Sequence, residues 1–214
     1  MAKISPSILS VDFLTLKDDI IKLENAGVDM LHLDVMDGIF VPNISFGVPV
    51  IKSIKKHTSL TLDVHLMIDR PHRYIKEFAE VSDYLGFHFE AGSNVAETLK
   101  EIKSAGKKCC LTIKPKTAPE EIFEYLPLCN MVLVMSVEPG FGGQKFLPSA
   151  LEKLEVLSSY RAEKGLDFLL EVDGGINDQT APMAVKSGAD VLVAGSYIFS
   201  AEDFESKIKE IKSL

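Results

Sequence analysis

Residues 13–38 read Phe13-Leu14-Thr15-Leu16-Lys17-Asp18-Asp19-Ile20-Ile21-Lys22-Leu23-Glu24-Asn25-Ala26-Gly27-Val28-Asp29-Met30-Leu31-His32-Leu33-Asp34-Val35-Met36-Asp37-Gly38, and two periodicities meet in them. Leu16, Ile20 and Leu23 recur at helical spacing up to Gly27, a residue suited to a left-handed C-terminal cap. From Met30 the period becomes two: His32, Asp34 and Met36 share one face of a strand, and Leu31, Leu33 and Val35 share the other. A helix stopped by glycine and followed at once by a strand is the unit from which the rest of the chain is built.

The unit recurs to both ends. Strands are predicted over 4–9, 30–36, 60–67, 84–90, 107–114, 131–137, 168–173 and 191–198. Helices are predicted over 13–26, 48–57, 74–81, 95–105, 120–126, 150–164, 180–187 and 203–211. Gly106, Gly165 and Gly188 repeat the position of Gly27, while Asp12, Ser93 or Asn94, Thr117 and Asp178 stand where N-caps belong. Repeated strand–helix alternation implies parallel strands with right-handed crossovers. An open doubly wound sheet would gather its ligands at one switch point, whereas here polar residues end many strands. Eight units therefore predict a single-domain (β/α)8 TIM barrel over residues 1–214, with those strand ends converging on one mouth.

Composition is that of a globular chain: 46% hydrophobic, 25% charged, in 214 residues. The net charge of −8 argues against nucleic acid or an anionic membrane as partner. No apolar run is long enough to span a bilayer. Cys109, Cys110 and Cys129 are too few and too close for a disulfide framework and read as reduced thiols, which points to the cytoplasm.

The chemistry lies at the strand ends. Leu62-Asp63-Val64-His65-Leu66-Met67 repeats the pattern of the opening stretch, with Asp63, His65 and Met67 on one face. Imidazoles and carboxylates on apolar strands are costly to bury unless something binds them. His32, Asp34, His65 and Asp173 form a candidate ligand set for a divalent transition metal (Zn, Fe, Mn or Co, zinc first), one per chain. The competing reading is a hydrogen-bonded polar layer inside the barrel. Glycine turns at Gly140-Phe141-Gly142-Gly143, Gly174-Gly175 and Gly195-Ser196 fall in the last three units, where barrels often hold phosphate. Met36, Met67 and Met135 are expected to line the pocket. His88 is read as structural, His57 and His72 as solvated, and Lys114 as the partner of Glu90 or Glu171 in preference to a Schiff base.

Read together, Ser5-Pro6-Ser7-Ile8-Leu9, residues 32–38, Phe40-Val41-Pro42-Asn43, residues 63–67, residues 134–146, residues 171–176 and Val193-Ala194-Gly195-Ser196 make the chain resemble the ribulose-phosphate 3-epimerase family over nearly its whole length. The resemblance implies a metal-dependent isomerase of the pentose phosphate pathway, interconverting D-ribulose 5-phosphate and D-xylulose 5-phosphate through an enediolate. It implies His32, Asp34, His65 and Asp173 as ligands and Asp34 and Asp173 as the acid/base pair. Ser7, His65, Asp173 and the three glycine segments are implied as contacts of a phosphorylated ketose, and a homo-oligomer is expected by the same analogy. Ile39 stands where the family commonly has histidine, at the lip of the pocket.

The nearest alternative is a 3-epimerase of another ketose phosphate such as D-allulose 6-phosphate. A related decarboxylase would carry a lysine on the third strand, which this chain lacks. A Schiff-base aldolase would rest on Lys114 alone. A non-catalytic phosphosugar-binding protein is disfavoured by the presence of both aspartates.

Overall fold

A computed structural model describes residues 2–212; Met1, Ser213 and Leu214 of the expected barrel lie outside the described residues. Eight parallel strands alternate with helices: β1 (Lys3–Pro6), α1 (Leu16–Asn25), β2 (Met30–Met36), α2 (Val48–Lys55), β3 (Thr61–Met67), α3 (Ile75–Ala79), β4 (Tyr84–His88), α4 (Val95–Ser104) and β5 (Lys108–Ile113). Then come β6 (Met131–Met135), α5 (Ser149–Lys164), β7 (Leu169–Asp173), α6 (Thr180–Lys186), β8 (Val191–Ala194), α7 (Ser196–Phe199) and α8 (Phe204–Lys212). Each strand pairs in parallel with its sequence neighbour from β2 through β8, and β8 pairs with β1. A parallel bridge between Ser7 and His32 draws β1 to β2, so the sheet is a nearly closed (β/α)8 barrel.

The strand parity of the sequence becomes two cores. Leu31, Leu33 and Val35 of β2, with Leu62, Val64 and Leu66 of β3, face outward into the shell beneath the helices. Each such buried side chain contributes on the order of 1.5–3 kcal/mol. The inward positions fill the barrel. Met30, Tyr84, Cys110, Met131, Leu133 and Val191 make an apolar plug, above which lie the ionisable residues.

Several boundaries move from their predicted places. β1 ends at Pro6, because Ser7 caps a one-turn 3-10 helix over Ile8–Ser10 by accepting from Leu9 N. β8 stops at Ala194, and Gly195 turns the chain into the short α7. The predicted helix over 120–126 is a 3-10 helix, Pro119–Leu128, containing Pro127, whose missing N–H disfavours a regular α-helix. Gly27, Gly106, Gly165 and Gly188 all adopt positive φ, as expected of helix C-caps. Among the N-caps, Asn94 accepts from Glu97 N. Asp12 caps the turn before α1 instead, Thr117 turns toward Glu90, and Asn177 takes the role expected of Asp178.

Candidate active site

Register sets the site. Asp34 on β2 lies opposite His65 on β3, and His32 lies opposite Asp63 one layer below. Inside the barrel these pairs meet. His65 Nδ1 is 3.1 Å from Asp34 Oδ1, His32 Nε2 is 3.3 Å from the same oxygen, and the two ring nitrogens are 3.3 Å apart. Ser7 donates its hydroxyl to the other oxygen, Asp34 Oδ2, at 2.6 Å. Asp173 closes the group from β7. One ligand atom from each of His32, Asp34, His65 and Asp173 lies within 4.8 Å of the others. Two imidazole nitrogens and two carboxylate oxygens at that spacing fit a divalent transition metal.

Below them, His32 Nδ1 meets Asp63 Oδ2 at 2.5 Å, with Glu171 Oε1 3.8 Å away. Asp63 is absent from the site residues expected from sequence; its place on the same strand face as His65 is the signal that points to it.

The two aspartates differ in charge preference. Burial alone would raise Asp34, but His32 and His65 beside it hold its carboxyl well below the usual carboxylate range. Burial, reinforced by the negative charge of Asp34, pushes Asp173 up to about 7. Without a bound cation, Asp34 thus favours the ionised form and Asp173 the protonated form, a difference of the kind general acid/base work uses. His32 loses basicity to burial but regains more from Asp34 and Asp63, so its pKa rises. Burial lowers that of His65.

The raised Asp173 pKa has a measurable consequence for the metal-free protein. The group binds its proton more tightly folded than unfolded, so its stabilising contribution is complete below about pH 4 and is lost as pH rises through about 7. Thermal unfolding of metal-free protein across that window should show a decline that Asp173→Asn removes. An identical pH slope in the variant would show that Asp173 is not buried with a proton.

Asp34 and Asp173 both open onto a cleft at the mouth of the barrel, together with Ser7, Ser10, Met36, Met67, Met135 and the three glycine turns. His65 lies behind Asp34, 1% exposed and outside the cleft lining. The turns are not equivalent. A Cβ on Gly175 would sit 2.5 Å from Phe146 N, and one on Gly174 2.5 Å from a Val137 methyl, so packing alone demands this pair. At Gly142 and Gly195 the nearest atom is instead the hydroxyl of Ser10, which itself lines the cleft. There a side chain would crowd Ser10 at the cleft wall, 3.2 Å away at Gly142 and 2.8 Å at Gly195. Asn43 and Gln144 hold the loop between them: Asn43 Nδ2 donates to Gly140 O at 2.7 Å, and Gln144 Nε2 to Glu138 O at 2.6 Å.

The remaining sequence candidates fall elsewhere. His57 and His72 are exposed. Asp37 accepts from the backbone of Ile39, Phe40 and Asp69 and shapes the loop after β2. Lys114 does not pair with Glu90 or Glu171 through its side chain: its Nζ lies over the Phe40 ring, and only its backbone N–H reaches Glu90. His88 is wholly buried, with Phe40 against its ring.

Comparison with known proteins identifies the family. The model of the ribulose-phosphate 3 epimerase family matches residues 3–199. Ribulose-phosphate 3-epimerase of Methanocaldococcus jannaschii is 47% identical over 212 residues, covering 99% of this chain and 90% of the relative. That of Bacillus subtilis is 44% identical over 214 residues, covering 99% of each. Among solved structures, a mutant tryptophan synthase α-subunit from Pyrococcus furiosus superposes with a TM-score of 0.73 over all of both chains at 15% identity, a likeness of fold alone.

Proposed function

The chain belongs to the ribulose-phosphate 3-epimerase family, isomerases that interconvert D-ribulose 5-phosphate and D-xylulose 5-phosphate, and we propose that Asp34 and Asp173 are the acid/base pair of that reaction here. The observation that carries the assignment is geometric: two carboxylates from different strands, β2 and β7, open onto one cleft, with one oxygen of each within 4.8 Å of the other. Inversion at carbon 3, beside the ketone, removes a proton from one face and returns one to the other. An ionised aspartate takes the first proton and a protonated aspartate delivers the second; the return reaction exchanges their roles.

The rest of the cleft serves that exchange. Ser7 fixes the orientation of the Asp34 carboxylate. Met36, Met67 and Met135 keep the reacting carbon dry without offering protons of their own. The substrate phosphate is held at the turns around Gly142, Gly143, Gly174, Gly175, Gly195 and Ser196, which registers carbon 3 between the carboxylates. His32, Asp34, His65 and Asp173 would hold a divalent ion, zinc first, whose charge when bound stabilises the oxygens of the enediolate. Three buried, unbridged cysteines support a cytoplasmic location, and a homo-oligomer is inferred by family analogy.

The substrate is tested by assaying D-ribulose 5-phosphate and D-allulose 6-phosphate side by side. A kcat/KM at least about tenfold higher for the pentose, roughly 1.4 kcal/mol of discrimination, is expected. Preference for the hexose would favour the alternative epimerase.

A further inference from the structure

The hydrogen-bonded array around Asp34 does not stop at His65. His65 Nε2 faces His88 Nε2 at 2.9 Å, with the two rings 4.9 Å apart between centroids. On its other side His88 turns Nδ1 toward Glu90 Oε2 at 3.4 Å. Both of these atoms are buried, and neither makes a regular hydrogen bond to anything else. The second Glu90 oxygen, Oε1, is committed as an acceptor: the backbone N–H of Lys114 donates to it at 2.8 Å, and the Thr117 hydroxyl also donates to it. Asp34, His65, His88 and Glu90 therefore form one line from the cleft to the end of β4.

Two neutral imidazoles in such a line have two self-consistent arrangements. In the first, His65 carries its proton on Nδ1 and gives it to Asp34, while His88 carries its proton on Nε2 and gives it to His65. That leaves the bare Nδ1 of His88 against a Glu90 carboxylate oxygen, acceptor against acceptor. In the second, His88 carries its proton on Nδ1 and donates to Glu90. Its Nε2 then accepts from His65 Nε2–H, and His65 Nδ1 is a free lone pair directed at Asp34 and His32. Each arrangement holds two protons, so passing from one to the other needs no net proton.

We propose that Glu90, acting through His88, fixes the tautomer of His65 so that Nδ1 is presented as a metal ligand. The inference rests on the reading of His65 as a ligand given above. Asp63 does the same for His32 without an intermediary: it accepts from Nδ1–H at 2.5 Å, which leaves Nε2 to face the group. Glu90 and His88 are positioning residues: neither lines the cleft.

Glu90→Gln tests this with almost no change of shape. Lys114 N–H still requires an acceptor, so the new amide nitrogen must face His88 and donate to Nδ1. His88 is driven to the Nε2–H form and His65 to the Nδ1–H form, which removes the ligand lone pair. Competition with a chelator for Zn2+ should show affinity reduced about 10- to 100-fold in Glu90→Gln, with the metal-free melting temperature little changed. Histidine 15N NMR of zinc-loaded wild-type protein, which needs no variant, should report His88 as the Nδ1–H tautomer. Wild-type zinc affinity retained in a folded Glu90→Gln, or His88 found as Nε2–H in the zinc-loaded protein, overturns the inference and leaves the metal site standing. Failure of the wild-type protein to bind zinc, iron, manganese or cobalt overturns both.

Discussion

Asparagine in place of Asp34 or Asp173 is expected to lower kcat by about 10²- to 10⁴-fold, with KM changed far less. The amide has the carboxylate's shape but neither takes nor delivers a proton at neutral pH. In Asp34→Asn the Ser7 hydroxyl can still donate to the amide oxygen, so the local geometry is expected to survive. In the proposed pairing the two aspartates act on opposite faces of one carbon, so neither completes the inversion without the other. The double variant is therefore expected to cost about as much as the worse single variant, not the product of the two. Both residues also belong to the candidate metal site, so bound metal should be quantified in each variant. A variant that retains metal and loses turnover assigns the loss to proton transfer; wild-type kcat in both would contradict the pairing.

The second large effect is expected from metal removal. In the proposed tautomers, His32 Nε2, His65 Nδ1 and Asp34 Oδ1 are three acceptors that converge within about 3.3 Å of one another. Three acceptors so placed repel one another unless a proton or a cation lies between them. Exhaustive chelation is expected to reduce turnover by a factor on the order of 10³ or more, the several kcal/mol that a bound cation supplies to developing oxyanions. One equivalent of zinc, iron, manganese or cobalt per chain should restore it. The helix-facing core contains none of these residues, so the metal-free protein should remain folded. Full turnover in rigorously metal-free protein would remove the ion from the chemistry.

Much of this site is legible in the sequence because a strand has a fixed side-chain period. Once residues 30–36 are a strand, His32 and Asp34 must share a face with Met36. The same reasoning places His65 with Met67; closure of the barrel brings Asp34, Met36 and Met67 to one mouth and gathers His32 and His65 around Asp34 inside it. Helix ends are legible for a similar local reason, since Gly27, Gly106, Gly165 and Gly188 occupy a conformation other residues avoid. What sequence does not carry is the distance between side chains on different strands. The His65–His88–Glu90 line depends on the curvature that sets neighbouring ring nitrogens 2.9 Å apart. Lys114 has apolar and acidic neighbours within reach, and only the folded chain shows it over Phe40. The ends of β1 and β8 fall earlier than periodicity predicts because Ser7 and Gly195 start new turns inside runs that remain apolar in sequence.

The pairing of Asp34 with Asp173 is tested most directly by following hydrogen exchange at carbon 3 in D2O by NMR, in Asp34→Asn and Asp173→Asn separately. Each variant keeps one base on one face. Each is expected to exchange carbon-3 hydrogen for deuterium in one epimer only, without inversion, and the two variants are expected to act on opposite epimers. Exchange of the same epimer by both, or inversion at the wild-type rate by either, would contradict two aspartates working on opposite faces of the carbon.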